Sequence, residues 1–222
     1  MINDCKINIT AHAGCMNTSM DSIESVQEGI KYGADIIEID LNVNTDNDLV
    51  LSHDIPREGD EYPRFKMVLE MIKDKKDILL NVDVKNTVIL KRLKNVISEY
   101  ELLDRVFLTG LILQDIRSNK EFLNGLHYFI NLGISDLKNV ELEKLIKKLE
   151  ALNIIGININ HRLVTPELIT ICKERKLLIS VWTVDDTHDM EKIIGFKVNS
   201  ITTKRIDVLK NKISEMKIKI ME

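Results

Sequence analysis

The stretch "IIEIDLNVNTDNDLVLSHD", residues 36–54, puts Glu38 and Asp40 two positions apart inside an apolar run and delivers His53 near its end. A strand built only for packing gains nothing from two such acids. Burying one unpaired carboxylate is costly, and a like charge beside it adds to the cost. Asp83 sits in a second run of the same kind, "ILLNVDV" (78–84), and His12 closes a third, "KINITAH" (6–12). Carboxylates gathered at one point need positive charge. An all-oxygen set selects a hard divalent cation, Mg²⁺ or Ca²⁺, over zinc. The other way to balance them is an ion-pair network built on Lys85 and a further base. His12 and His53 suit general acid–base catalysis, because imidazole gives and takes a proton near neutral pH. Lys85, two residues after Asp83, either stabilises a phosphoryl oxygen or serves only as the partner of Asp83. Trp182, in "SVWTVDD", either walls a substrate or fills the core. His127, His161 and His188 read as structural, although His161 follows two inward-facing residues, Asn158 and Asn160. Cys15 has no evident base partner, so it reads as a small, semi-buried loop residue and not as a nucleophile.

These residues need a scaffold, and the apolar runs supply one. Strand candidates are 6–12, 35–41, 78–84, 105–109, 126–130, 153–159, 177–183 and 198–202. Helical patterns lie between them, near 20–32, 65–75, 87–100, 111–121, 138–151, 165–175, 186–194 and 206–219. Thr165 and Pro166 make a helix start, with threonine as N-cap and proline in the first helical position. Strict alternation of strands and helices indicates parallel βαβ units. The count fits a (β/α)8 TIM barrel in one domain spanning 1–222, a fold of typically ~250 residues; a doubly wound open sheet is the alternative.

Side chains alternate across a strand. Ile37, Ile39 and Leu41 therefore oppose Glu38, Asp40 and Asn42, while Leu80, Val82 and Val84 oppose Asn81, Asp83 and Lys85. The outer face of a barrel packs on helices and is apolar, so the polar sets look inward. Asp83 then reaches the height of Asp40 on the next strand. The turn at 44–48 folds the chain back, so that "LVLSHD" carries His53 to the same C-terminal mouth, where this fold keeps its sites.

Composition excludes several classes. The chain is 44% apolar and 30% charged with a net charge of −4, which gives no support to a nucleic-acid or polybasic-membrane role. No run approaches the ~20 apolar residues of a membrane helix, and "MINDCKINIT" lacks the features of a secretory signal. A cytoplasmic protein without a stable membrane anchor is expected. Cys5, Cys15 and Cys172 show neither paired number nor CxxC spacing, so no disulfide framework or zinc site is expected.

"ITAHAG", the block from "NTSMDSIESVQEGIKYGAD" to "LVLSHD", "NVDVKN", "VWTVDD" and "SITTK" occur in an order that resembles the glycerophosphodiester phosphodiesterase family, from residue 7 to about 205. The resemblance implies a (β/α)8 fold and metal-dependent hydrolysis of a small phosphodiester to an alcohol and a phosphomonoester. It further implies that His12 and His53 are the acid–base pair and that Glu38 and Asp40 are metal ligands. Asp83 stands where the family usually carries a glutamate ligand, and Lys85 matches its motif lysine. Ala13 and Met16 occupy places where the family has arginine and glutamate, and Thr202-Thr203-Lys204 replaces a usual Thr-Asp. The segment from Ile55 to Lys76 is short for the family, which implies a more open site and a different alcohol group. In its aspartate at 83, the missing arginine after His12 and the short segment, the site is also similar to the sphingomyelinase D branch of the fold. The loss of the arginine leaves a second possibility, a catalytically weak barrel that binds a phosphorylated ligand or serves as a regulatory partner.

Overall fold

The computed structural model describes residues 2, 6–138 and 140–221, with the side chains of 217–221 excepted. Cys5 lies outside the described residues. The strands are β1 (Asn8–Ala11), β2 (Ile36–Val43), β3 (Leu49–Leu51), β4 (Leu79–Val84), β5 (Val106–Thr109), β6 (His127–Leu132), β7 (Gly156–Asn160), β8 (Leu178–Trp182) and β9 (Ser200–Thr203). All but β3 pair in parallel with their neighbours, and β1 pairs with both β2 and β9. That double pairing closes the sheet into a (β/α)8 barrel and rules out the open sheet.

Helices α1 (Ile23–Lys31), α2 (Phe65–Ile72), α3 (Leu90–Glu99), α4 (Leu113–Ser118), α5 (Lys120–Leu123), α6 (Ile134–Leu137), α7 (Leu142–Glu150), α8 (Pro166–Glu174), α9 (Thr187–Phe196) and α10 (Ile206–Met221) fill the connections. Their ends follow local chemistry. The Ser25 backbone N–H donates to the Ser22 side chain at the start of α1, and that of Leu168 donates to Thr165 at the start of α8. Beyond α2, the Arg105 guanidinium donates to the carbonyls of Ile72 at 3.0 Å, Lys75 at 2.8 Å and Lys73 at 2.5 Å, stopping the helix short of residue 75.

The expected elements are all present, with shifted limits. The pattern at 111–121 divides into α4 and α5 at Asn119, whose backbone leaves the helical region. The run at 153–159 enters the ladder only at Gly156, because Asn153 takes a left-handed turn at φ 57° after α7. Gly156 itself lies tight against β8: a Cβ there would meet the Leu178 carbonyl oxygen at 2.1 Å. The segment 49–51, unassigned in the sequence reading, forms β3, antiparallel to β2. Its hairpin is closed by Asn44, whose backbone N–H donates to the Asp48 carbonyl at 3.1 Å while its side chain accepts from the Asp48 N–H at 2.7 Å.

The outward faces of the strands, including Ile37, Ile39, Leu80 and Val82, are buried with apolar side chains of the helices such as Phe65, Leu69 and Leu93 in one cluster. Full burial of each such side chain stabilises by about 1.5–3 kcal/mol. The inward face is polar across much of the barrel, and Thr10 and Ser200 meet there, oxygen to oxygen, at 2.7 Å. Among the described residues no helix is long and apolar enough to cross a membrane.

Candidate active site

A cavity of about 550 Å³ opens at the C-terminal ends of the strands, and His12, His53, Glu38, Asp40, Asp83, Lys85 and Trp182 all line it. The β2–β4 register makes Asp40 the direct neighbour of Asp83 and Glu38 that of Asn81, as alternation predicts. Ligand atoms of Glu38, Asp40 and Asp83 all lie within 4.8 Å of one another. Two oxygens on one Ca²⁺ ion at ~2.4 Å can stand at most ~4.8 Å apart, so the three carboxylates fit a single hard cation.

Their electrostatics point the same way. Lys85 Nζ donates to Asp40 Oδ1 at 2.8 Å and to Asp83 Oδ2 at 2.5 Å, with all three side chains largely out of solvent. Both roles weighed for Lys85 begin here, since it does pair with Asp83 and also reaches the cavity. Burial works against its ammonium, but the charges of Asp83 and Asp40 and the hydrogen bonds to both outweigh it and raise its pKa. Glu38 has no such partner. Its Oε2 accepts the Ala13 backbone N–H at 2.9 Å, yet burial, then the charges of Asp40 and Asp83, push its carboxyl well above the usual range. A buried group in that state takes up a proton or a cation. One ammonium does not balance three carboxylates, so the self-neutralised network is incomplete.

Both histidines have an acceptor at Nδ1. His12 Nδ1 lies 2.6 Å from the Ala13 carbonyl, and His53 Nδ1 lies 3.0 Å from Asp54 Oδ1. Both partners are acceptors, so each Nδ1 donates in these bonds and each Nε2 has no hydrogen-bond partner among the described residues. The His12 backbone N–H donates to the Thr203 carbonyl at 3.0 Å, fixing its loop to β9. Ser25 holds the next turn, its Oγ accepting the Gly14 N–H at 2.7 Å and the Cys15 N–H at 3.2 Å.

The structure adds residues the strand pattern missed. Asp21, at φ 54° in the loop before α1, accepts the His53 backbone N–H on Oδ2 at 2.8 Å. Its Oδ1 is buried without a partner among the described residues, because Asp40 beside it is a second acceptor unless one of the two holds a proton. Burial, followed by the charge of Asp40, raises Asp21 to about 6. Thr109 donates to Asp83 Oδ1 at 2.7 Å, and Asn131 accepts from the Gly110 N–H and the Asn158 side chain. Thr109 ends a strand candidate and Asn131 falls one residue beyond another, so a longer alternation reading would have found both. Nothing in the apolar pattern marks Asp21.

Other expected residues fall elsewhere. Met16 sits half-buried in a 3₁₀ turn, and Met20 is the methionine in the cavity wall. Lys204 is tied down through its backbone N–H, which donates to Asp185 Oδ1 at 2.7 Å. Cys15 is buried and hydrogen-bonded, and burial pushes its thiol up, away from nucleophile chemistry. His127 opens β6, His188 is exposed on α9, and His161 is buried beside the Trp182 carbonyl; none of the three lines the cavity.

Comparison with known proteins agrees with this geometry. The chain matches the glycerophosphoryl diester phosphodiesterase family over residues 12–208. It is 27% identical to a glycerophosphodiester phosphodiesterase of Caldanaerobacter subterraneus subsp. tengcongensis, over 93% of this chain and 97% of that one. Its fold superposes on a glycerophosphodiester phosphodiesterase from Parabacteroides distasonis with a TM-score of 0.79 at 19% identity, covering 96% of this chain and 98% of that one. An Oleispira antarctica phosphodiesterase, solved with the product sn-glycerol-3-phosphate, gives a TM-score of 0.76 at 14% identity, covering 95% and 98%. With its matched segment running from His12 through nearly the whole barrel, the chain belongs to the glycerophosphoryl diester phosphodiesterase family, a family of phosphoric diester hydrolases.

Proposed function

We propose that the barrel, as one domain over residues 1–222, hydrolyses a glycerophosphodiester or related small phosphodiester to an alcohol and a phosphomonoester, using a divalent cation and the His12–His53 pair. The observation that carries this reading is the convergence of Glu38, Asp40 and Asp83 on one point with a single ammonium, in a cavity lined by both imidazoles. Glu38, Asp40 and Asp83 would hold Mg²⁺ or Ca²⁺, which supplies neutralisation of charge developing on a non-bridging phosphate oxygen.

The chain's own groups supply the rest. One imidazole, neutral, takes the proton of the attacking hydroxyl or water at its Nε2, and the other, as the imidazolium, gives its Nε2 proton to the leaving alkoxide. Asp54 and the Ala13 carbonyl accept from Nδ1 of the two rings and hold them for these transfers. Lys85, between Asp40 and Asp83, presents positive charge to a phosphoryl oxygen. Trp182 walls the cavity against the apolar part of the substrate. Ala13 offers no phosphate donor, since its side chain is buried and its N–H is committed to Glu38. That commitment favours the second reading, a barrel that binds a phosphorylated ligand with little turnover. The product sn-glycerol-3-phosphate, bound in the Oleispira antarctica protein, is the natural probe for it.

Purified protein incubated with glycerophosphocholine and other small diesters, in Mg²⁺, Ca²⁺, Mn²⁺ or chelator, tests the reading. Turnover is expected only with cation, and His53→Ala is expected to lower it about 10²–10⁴-fold. Absence of turnover on every diester, or a His53→Ala or Asp40→Asn variant as fast as the parent, refutes it. Binding of sn-glycerol-3-phosphate without any turnover establishes the second reading instead.

A further inference from the structure

We propose that His161 is a positioning residue for this site, tying the end of β8 to helix α9 and so fixing Trp182 as a wall of the cavity. The proposal rests on Trp182 being a substrate-facing wall. His161 is the first residue of the 3₁₀ turn after β7, and its side chain is only 10% exposed. Nδ1 lies 3.2 Å from the Trp182 carbonyl oxygen, and Nε2 lies 3.2 Å from Asp189 Oδ2. Both partners are acceptors. A neutral imidazole has one N–H and satisfies one of them, whereas the imidazolium satisfies both at once. His161 thus spans two elements that the β-ladder does not join.

Each end of the bridge is anchored. Asp189 lies in the first turn of α9, where Asp186 Oδ1 accepts its backbone N–H at 3.2 Å and that of His188 at 2.8 Å. Trp182 pairs in register with Asn160, the residue before His161. The Trp182 indole N–H, by contrast, is buried with no partner among the described residues. No hydrogen bond on the ring sets its place, so its orientation follows from packing and from the backbone that His161 holds. Trp182 and Thr183 both line the cavity, while His161 does not. A histidine in this position acts on substrate only through the tryptophan.

Trp182 is the only tryptophan in the chain, so intrinsic fluorescence reports on it alone. His161→Phe keeps an aromatic ring, slightly larger, and removes both hydrogen bonds; His161→Gln restores amide N–H donors. With a native circular dichroism spectrum, His161→Phe is expected to raise acrylamide quenching of Trp182 about twofold. It should also raise KM for glycerophosphocholine about fivefold, with kcat changed less. His161→Gln should recover most of both effects. If His161→Phe fails to fold, Asp189→Ala breaks the bridge at its more exposed end and should raise the quenching in the same direction. Quenching and KM that match the parent in these variants overturn the proposal, as does an equal fall in kcat and kcat/KM with KM unmoved. The quenching arm needs no turnover, so it separates failure of this bridge from failure of the phosphodiesterase reading.

Discussion

Replacing Asp21 by asparagine removes a buried charge next to Asp40 and keeps the acceptor that holds His53. The left-handed backbone at φ 54° suits asparagine at least as well as aspartate. Burial and Asp40 raise the Asp21 carboxyl from 3.8 to about 6. At full weight that rise corresponds to ~3 kcal/mol. Part of the residue stays in contact with solvent, and screening brings the figure to about 1–2 kcal/mol. The sign follows from proton uptake. The native protein keeps the Asp21 proton up to about pH 6, whereas the unfolded chain gives it up near 3.8, so stability falls as pH rises between the two values. Below that window the parent and Asp21→Asn differ little on this account. Above it the variant is more stable by about 1–2 kcal/mol, or about 2–8 °C in Tm for a chain of this size. Thermal melts in chelator from about pH 4 to about pH 8 read the difference directly. A gain that does not vary with pH, or a variant less stable than the parent at the alkaline end, refutes the electrostatic account.

A divalent cation at about 100 times its Kd should stabilise the protein by ~2.7 kcal/mol, raising Tm by about 5–10 °C, and Glu38→Gln should reduce that shift. Lys85→Met should cost about 2–3 kcal/mol in chelator, somewhat less than the ~3–5 for breaking a wholly buried pair, as read by urea denaturation with and without Ca²⁺. Ser25→Ala leaves the Gly14 and Cys15 N–H groups without their shared acceptor and should cost about 1–3 kcal/mol in the same assay. Gly156→Ala forces a methyl onto the backbone of β8 and should destabilise by at least ~1–3 kcal/mol, seen as a lowered denaturation midpoint.

The barrel and its metal-ligand candidates were legible because both depend on a period of two. Once Ile37, Ile39 and Leu41 face the helices, Glu38 and Asp40 have no other direction, and the register with Asp83 follows from the twin pattern on β4. His12 and His53 were legible because each directly follows a strand run, whereas Asp21, in the loop before α1 and away from any strand run, was not. Asp21 depends on a single left-handed residue, and its neighbour Asp40 is distant in sequence. The bridge from His161 to Asp189 depends on where α9 starts relative to β8, which no local periodicity encodes. β3 was too short to show alternation, and the break at Asn119 lies inside an unbroken amphipathic pattern.

The double pairing of β1 also bears on how the protein is made. During synthesis β1 emerges first and finds β2 within about 30 residues, but its other edge must wait for β9 at Ser200–Thr203. Until then one row of backbone groups stays open to foreign strands. The loop that carries His12 gains its hydrogen bond to Thr203 only at that last step. A nascent chain therefore holds the strands that bear its carboxylates before the loop of His12 is tied to β9, and the candidate site is completed by the same event that seals the barrel.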